Sequence, residues 1–539
     1  LGTVLDQADR LVLQRAERDG IDCPVILRRQ VRCRLEKQET TIDLEFDESN
    51  GDVARQFAHA FRDRFGYEMP ERAIELASVR VFAGTPPTYD ILPPECAEKS
   101  STTSEESIER ASIKADPLDG PLLILEPTAT TVLQEGWSVR RDPSGALLLQ
   151  REEEHARRVV LDAVTSEVTE GRLESIARDM GESLRRTALS VNVRERLDYS
   201  CAVLDGDGQL IVNAPHMPVH LGAMGVCVRA VAAYLDLQDG DTALVNHPAF
   251  GGSHLPDLTL VTPVFQDGKK IAYVANRAHH AEIGGTRPGS MPPDATSLAE
   301  EGVVFEPVLL VRGGKARFDV IEKRLRSGVW PSRLPNDNLA DLAAQLAANT
   351  LGVRRVQSLV RGLGHQRFVE ELADLRTRCA STTSAIAQRF SGLDWTGQEV
   401  LDDGSVLAVR VKCDGSTFLF DFKGTTAQHH GNLNAPHAVT RAAVLYVLRL
   451  LAAKAIPLNE GTLADVHLRL PEGSMLNPVF TGTPERDPAV AIGNTETSQR
   501  IVDLLLRAFN VAACSQGTMN NTLLGSAGMT YYETVCGGA

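Results

Sequence analysis

The sequence lacks the features of a disulfide-stabilised, secreted or membrane-spanning protein. Its nine cysteines are scattered singly through 539 residues, and no Cys-x-x-Cys pair occurs. This pattern indicates reduced thiols in a cytoplasmic protein rather than a disulfide framework or a zinc ribbon. No apolar run approaches the roughly 20 residues of a transmembrane helix, and no signal-peptide pattern is present.

The sequence also lacks a basic excess and the common nucleotide-binding and nucleophile motifs. Lys and Arg number 56 against 71 Asp and Glu, which gives a net charge of -15. Without a basic block, this balance argues against nucleic acid as a main partner. There is no GxxxxGK[ST] loop, no GxGxxG turn after a strand and no GxSxG elbow. The sequence therefore offers no recognised ATP site and no serine nucleophile.

The length of the chain indicates two or three domains. We predict an α+β protein with mixed sheets and helices, in which residues 1–150 form a small N-terminal domain and residues 151–539 a larger, multi-layered one. Residues 83–119 are rich in Pro, Ser, Thr and charge, which is typical of a linker or mobile loop. Residues 336–391 predict helices whose apolar stripes serve packing.

The stretch at residues 246–291 holds the strongest candidates for chemistry. Two glycines precede His254, and Asp257 follows it by three residues. LTLVTPVF then predicts a buried strand, QDGKK a turn, and IAYVANRA a second strand that ends at His279 and His280. Because the two strands have similar lengths, the hairpin is expected to return His280 to the neighbourhood of His254 and Asp257.

Two imidazoles and one carboxylate on loops at strand ends suit a divalent cation with open coordination positions. Such an ion can polarise a carbonyl or activate a water molecule. The alternative is that these residues are ordinary loop polar groups, with His279 or His280 hydrogen bonded to a backbone carbonyl. His279 is retained as a catalytic candidate beside the predicted ligands His254, Asp257 and His280.

Two further candidates precede this stretch. Asp198 lies at the front of a strand in RERLDYSCAVLDGDGQLIVNAP, whose DGDG predicts a hairpin turn. It is a fourth metal ligand or a general base, or else a salt-bridged surface carboxylate. His216 and His220 lie four residues apart around Pro218, which disfavours a helix. They are predicted to line the pocket from a loop, or to be hydrogen-bonded structural histidines.

Polar residues in later loops are candidates for binding substrate. Arg500, in GNTETSQRIVD, could hold a carboxylate. Asn434, in GNLNAPHAVTRAA, and Asn520, in SQGTMNN, could line the pocket, as could Asn246 at the start of the central stretch. Helix capping explains an Asn equally well, and SQGTMNN is also consistent with a simple turn.

Several long motifs resemble the hydantoinase B family, and most closely its single-chain 5-oxoprolinase members. They are RERLDYSCAVLDGDGQLIVNAPHMPVHLGAM, NHPAFGGSHLPDLTLVTPVF, RAHHAEIGGTRPGSMPP, GNLNAPHAVTRAA, TSQRIVD and SQGTMNN. The resemblance runs from about residue 155 to the end. Residues 1–150, notably FRDRFGYEMPERAIELASVRV, resemble the C-terminal part of hydantoinase A.

The resemblance implies an ATP-dependent amidohydrolase that opens the lactam of 5-oxo-L-proline to L-glutamate, as in glutathione metabolism. It implies a metal at His254, Asp257 and His280, because related acetone carboxylases bind one at the matching positions; Zn, Mn and Mg are not distinguished. It favours a place near this site for Asp198. The ATP site belongs to an N-terminal hydantoinase A part that is absent from this sequence.

The partners expected from this resemblance are a 5-oxoproline-like lactam, the missing hydantoinase A half and a second copy of the chain in a homodimer. We therefore expect a fragment, cut at both ends and inactive alone. The alternatives are hydrolysis of another cyclic amide such as a hydantoin, a subunit of an ATP-dependent carboxylase, and a catalytically silent scaffold for partner subunits.

Overall fold

The computed structural model describes residues 2–19, 21, 25–36, 41–46, 52–65, 73–84, 106–126, 129–133, 136–142, 144–151, 163–213, 217–220, 222–452, 459–515, 520–526 and 529–535. The chain divides into two compact units. The larger contains residues 1–20, 26–83 and 164–539, and the smaller contains residues 21–25 and 84–163. The mixed composition of helices and strands confirms the predicted α+β class.

The larger unit begins with two helices and a three-stranded sheet of order β2-β1-β3. Their bounds are α1 (Gly2–Arg18), β1 (Val25–Leu35), β2 (Ile42–Glu45), α2 (Val53–Phe65) and β3 (Ile74–Gly84). The alternating Val31, Cys33 and Leu35 point inward, as predicted. They share one hydrophobic core with Leu258 and Leu342 from later in the chain. Residues 26–83 therefore belong to the larger unit, and the domain boundary near residue 150 stays a prediction.

The described residues of the smaller unit form two three-stranded sheets, ordered β4-β6-β7 and β5-β8-β9. The strands are β4 (Glu106–Glu109), β5 (Leu118–Asp119), β6 (Leu122–Leu125), β7 (Thr130–Leu133), β8 (Trp137–Arg141) and β9 (Leu147–Arg151). Ile113, Ile124, Leu133 and Val139 form its core. Of the predicted loop at residues 83–119, residues 85–105 lie outside the described part of the chain, whereas residues 106–119 include two strands.

A seven-stranded antiparallel sheet of order β11-β10-β14-β13-β12-β15-β16 organises the rest of the larger unit. The elements in this part are α3 (Ala163–Thr187), α4 (Val191–Arg194), β10 (Tyr199–Asp205), β11 (Leu210–Asn213), α5 (Ala223–Tyr234), β12 (Thr242–Val245), β13 (Asp257–Gln266), β14 (Lys269–His279), α6 (Leu298–Glu301), β15 (Val308–Arg312), β16 (Lys315–Ala316), α7 (Phe318–Leu325), α8 (Pro335–Leu363) and α9 (His365–Arg389). The predicted hairpins β10–β11 and β13–β14 are both confirmed.

Helices cover both faces of this sheet, which explains why its strands are apolar runs rather than clean alternations. In β10, Ala202 packs with Val228 of α5, whereas Cys201 on the opposite face packs in a core with Leu184 of α3 and Ala348 of α8. Successive side chains of a strand point to opposite faces, so the sequence of each strand serves two separate cores. The side of the sheet that a residue faces therefore decides its neighbours.

The last part of the chain packs helices on a second, four-stranded sheet of order β17-β18-β19-β20. Its elements are β17 (Asp394–Val400), β18 (Val406–Cys413), β19 (Phe418–Asp421), α10 (His437–Leu450), β20 (Val466–Arg469) and α11 (Ser498–Phe509), followed by the hairpin β21 (Asn520–Ser526) and β22 (Met529–Val535). No helix in the described part of the chain combines the length and apolar character needed to cross a membrane.

Candidate metal centre and adjoining cavity

Three neighbouring strands bring Asp198, His279 and Asp257 into one row at an end of the central sheet. Asp257 opens β13 and is paired directly with His279, the last residue of β14. Asp198 immediately precedes β10, and its carbonyl accepts the backbone N–H of His279 at 3.0 Å. Residues paired across antiparallel strands point to the same face. The register therefore places these three side chains together.

His254 joins this row from the turn before β13. Its Nε2 lies 3.1 Å from Asp257 Oδ1, and His279 Nδ1 lies 3.3 Å from the same oxygen. One donor atom each of His254, Asp257 and His279 falls within 4.8 Å of the others. All three residues are at most 3% exposed. Asp198 is more accessible, and its Oδ2 lies 3.8 Å from His279 Nδ1.

These residues fit a divalent cation. Asp257 Oδ1 is buried and, despite its close nitrogen neighbours, accepts no hydrogen bond of acceptable geometry within the described structure. Burial raises the pKa of Asp257, but the His254 and His220 rings outweigh it and hold this pKa well below its ordinary value. Burial lowers the pKa of His279, yet the Asp198 and Asp257 carboxylates outweigh it and leave this pKa raised. The cluster therefore stabilises positive charge, as ligands of a cation do.

His280 lies on the other face of the sheet, and the structure does not bring it to this cluster. Its Nδ1 lies 2.8 Å from Asn338 Oδ1, and its Nε2 lies 3.0 Å from Gln345 Oε1, both on α8. Both ring nitrogens are thus engaged, and neither can coordinate a metal without losing a buried partner. The adjacent His279 takes the position that the sequence prediction gave to His280, because one step along a strand reverses the face.

The second carboxylate oxygen of Asp257 is held by neighbouring side chains. His220 Nε2 donates to Oδ2 at 3.2 Å, and Ser253 Oγ donates to it at 2.5 Å. The opposite nitrogen of His220 lies 3.0 Å from Ser200 Oγ. Arg277, which is fully buried, reaches Ser253 Oγ at 3.4 Å. These contacts leave Oδ1 directed toward the two histidines, in the way that outer hydrogen bonds orient metal ligands.

A cavity of about 440 Å³ opens beside the cluster. One end is formed by the cluster and Asp198, and another part of the wall is apolar. The full set of lining residues is Arg196, Asp198, Met217, Val219, His220, His254, Asp257, His279, Met291, Asn494, Thr495 and Glu533. Polar groups converging on an apolar cavity of this size are typical of a small-molecule site.

The other residues predicted to bind substrate have different surroundings. Asn246 donates to the carbonyls of Leu255 and Val303 and accepts from the N–H of Phe305, so that it holds the loop bearing His254. The Asn434 amide likewise has only backbone partners. Arg500 pairs with Glu496 and Glu399. None of these three lines the cavity described above.

Two candidates cannot be placed. His216 lies outside the described residues, as does the side chain of Asn520, whose backbone begins β21. Sequence reasoning also missed Ser253, Arg277 and Asn494. Arg277 did leave a signal, since an Arg within a strand as apolar as IAYVANRAHH is seldom buried without a specific role.

The fold brings histidine and carboxylate groups together at one end of a cavity whose remaining wall is partly apolar. The model of the hydantoinase B/oxoprolinase family matches residues 162–539, and the chain belongs to that family. The resemblance found in the sequence motifs is therefore confirmed.

Known relatives agree with this assignment. The chain is 33% identical to the 5-oxoprolinase of Saccharomyces cerevisiae, over 96% of its own length and 44% of the relative's. It is 35% identical to 5-oxoprolinase 1 of Arabidopsis thaliana, over 95% and 46% respectively. The crystal structure of the ATP-dependent caprolactamase from Pseudomonas jessenii aligns with a TM-score of 0.58 and 25% identity, covering 65% of this chain and 61% of the other. The chain thus spans less than half the length of these two 5-oxoprolinases.

Proposed function

We propose that this chain supplies the ring-opening part of an ATP-dependent amidohydrolase whose substrate is 5-oxo-L-proline and whose product is L-glutamate. The observation that carries the proposal is the convergence of His254, Asp257 and His279 on a cavity large enough for a small lactam. The names of the 5-oxoprolinase relatives and of the caprolactamase support a cyclic amide as substrate. ATP would act at a site outside the present sequence, in a longer protein.

His254, Asp257 and His279 would hold a divalent ion, with Asp198 beside them. When bound, such an ion supplies Lewis acidity toward a carbonyl oxygen or a water molecule. His220 and Ser253 fix the orientation of Asp257 through its second oxygen. The protein thereby fixes the ligand geometry in advance, so that little reorganisation is needed during the reaction.

Ring opening adds water across the lactam C–N bond. The water oxygen joins the carbonyl carbon, the C–N bond breaks, and the ring nitrogen gains a proton to become the amine of glutamate. Asp198 is the accessible carboxylate beside the cluster and is assigned the role of accepting the proton from water. Met217, Val219 and Met291 supply apolar contacts for the ring carbons along the same cavity.

In the longer protein, His254→Ala should lower the turnover of 5-oxo-L-proline at least about a thousandfold, because a lost ligand removes several kcal/mol of transition-state stabilisation. Glutamate release in the presence of ATP and a divalent ion measures this. His467→Ala, which changes an exposed histidine of β20, is the matched control and should retain activity. Unchanged turnover in His254→Ala would refute the role given to the cluster.

Arg196 favours a lactam that carries a carboxylate over a neutral one. It is the only cationic side chain among the described residues that line the cavity, and its Nη2 lies 2.8 Å from Glu533 Oε1. A guanidinium paired with one carboxylate can exchange it for another, and it can hold a carboxylate through two N–H donors. We therefore assign Arg196 to the carboxylate of 5-oxoproline.

Arg196→Gln should raise KM for 5-oxo-L-proline roughly tenfold to a hundredfold, while leaving KM for the neutral lactam 2-pyrrolidinone nearly unchanged. Glu533→Gln breaks the same ion pair but keeps the guanidinium, and it should not raise KM. Comparison of the two variants separates a role of Arg196 in substrate binding from a role in holding the hairpin β21–β22, which carries Glu533. Equal increases in KM for both lactams, or in both variants, would contradict the assignment.

A further inference from the structure

One wall of the cavity is a π-helical turn, Gly493–Thr497, directly before α11. Such turns are rare and occur frequently at functional sites. The backbone N–H of Gly493 donates to the Asn432 carbonyl at 2.9 Å. A Cβ at Gly493 would lie 1.9 Å from the Asn434 carbonyl oxygen, so only glycine allows this close approach. The turn is thus fixed against the neighbouring loop, with Asn494 and Thr495 on the cavity.

The carboxamide of Asn494 makes no hydrogen bond within the part of the chain that the structure describes. Its Oδ1 is buried and has no donor. The amides of Asn246 and Asn434 are committed to backbone groups, and that of Asn338 to neighbouring side chains. The buried Asn213 carboxamide is also unpaired, but Asn213 does not line the cavity. A buried polar atom left without a partner destabilises the unliganded site. A bound ligand that offers the missing partner would recover this cost.

A small lactam offers that partner. Its ring forces the amide to be cis, so the N–H donor and the carbonyl acceptor lie side by side on one edge. A carboxamide also presents one donor and one acceptor side by side. The two groups can pair through two hydrogen bonds. The Thr495 hydroxyl does not compete, because it donates to the Ile492 carbonyl at 3.3 Å.

We propose that the Asn494 carboxamide pairs with the cis-amide edge of the bound lactam, its oxygen accepting the ring N–H and its nitrogen donating to the ring carbonyl. This inference rests on the proposed function and adds the residue that distinguishes a lactam from a lactone of the same size. A lactone has a ring oxygen in place of N–H. It would leave the Asn494 oxygen unpaired and facing a lone pair, and a site with a committed acceptor rejects such an analogue.

The test compares binding of 5-oxo-L-proline with that of its lactone counterpart, (S)-5-oxotetrahydrofuran-2-carboxylate, by titration calorimetry on the metal-loaded chain. We expect the unmodified chain to bind the lactam roughly tenfold to a hundredfold more tightly than the lactone. Asn494→Leu should reduce this ratio to about threefold or less, within the weak discrimination of an apolar wall. Asn494→Asp keeps the acceptor and should keep the preference for the lactam.

Metal content and thermal stability, measured on every variant, show that the folded centre persists. A ratio that is unchanged in Asn494→Leu, while the unmodified chain binds the lactam, would overturn the inference and leave the proposed function standing. A chain that binds its metal but neither ring compound would overturn the substrate assignment, and the inference with it. A lactam preference lost equally in Asn494→Leu and Asn494→Asp would also contradict the pairing, since Asp retains an acceptor for the ring N–H.

Discussion

His279→Ala should abolish binding of a divalent ion, whereas His280→Ala should leave it in place. His279 directs Nδ1 to within 3.3 Å of Asp257 Oδ1 on the cavity side of the sheet. His280 is buried on the α8 side, where Asn338 and Gln345 engage both ring nitrogens. Loss of one ligand from a set of three leaves too few protein donors for a stable site. Loss of His280 instead leaves the buried amides of Asn338 and Gln345 without their imidazole partner, which costs about 1–3 kcal/mol.

Elemental mass spectrometry of the purified chains gives the metal content, and denaturant unfolding gives the free energy of unfolding. We expect about one ion per chain in the unmodified protein, nearly none in His279→Ala, and a full site with lower stability in His280→Ala. Gln345→Met, on the same side of the sheet as His280, provides a second variant that should also keep the ion at the cost of stability, because it removes the carboxamide that contacts His280, Leu258 and Asn276. Retention of metal by His279→Ala together with its loss in His280→Ala would favour the ligand set predicted from the sequence.

The β13–β14 hairpin was predictable from the sequence. The choice of His279 rather than His280 as the ligand was not, and a single β-bulge explains why. The two-residue turn at Asp267 and Gly268 pairs Gln266 with Lys269. Continued without interruption, this register would pair Asp257 with Ala278. A bulge between Val264 and Phe265 shifts the pairing by one residue, so that Asp257 faces His279. The apolar run of β13 gives no sign of where such a bulge falls.

Burial of polar residues was the second feature that local pattern did not reveal. Residues 336–391 were predicted to present apolar stripes, and α8 does contribute its Leu342 and Leu346 to a hydrophobic core. Its sheet-facing side also carries Asn338, Gln345 and Asn349, which bond to His280 and to polar or backbone groups of the strands. Each of these side chains depends on at least one partner distant in sequence. Periodicity locates the helix but not its partners.

The loop before β13 was predictable in part, because the paired glycines Gly251 and Gly252 indicate close approach of backbone segments. Substitution of Gly252 should therefore have a large effect. A Cβ on Gly252 would lie 2.3 Å from the Asn246 carbonyl oxygen. Asn246 cannot move away, because its side chain is hydrogen bonded to the carbonyl of Leu255 and the N–H of Phe305. Gly252→Ala must therefore displace the segment that carries His254.

We expect Gly252→Ala to lose most of its divalent ion and at least about 2 kcal/mol of unfolding free energy, as an overpacked core does. Gly171→Ala is the matched control, because its Cβ would meet nothing within 4 Å on α3. It should keep the ion and gain about 0.5–1 kcal/mol from helix propensity. Metal content and denaturant unfolding of both variants decide the matter. If Gly252→Ala matched Gly171→Ala in both measurements, the close approach of backbone would not be what positions His254.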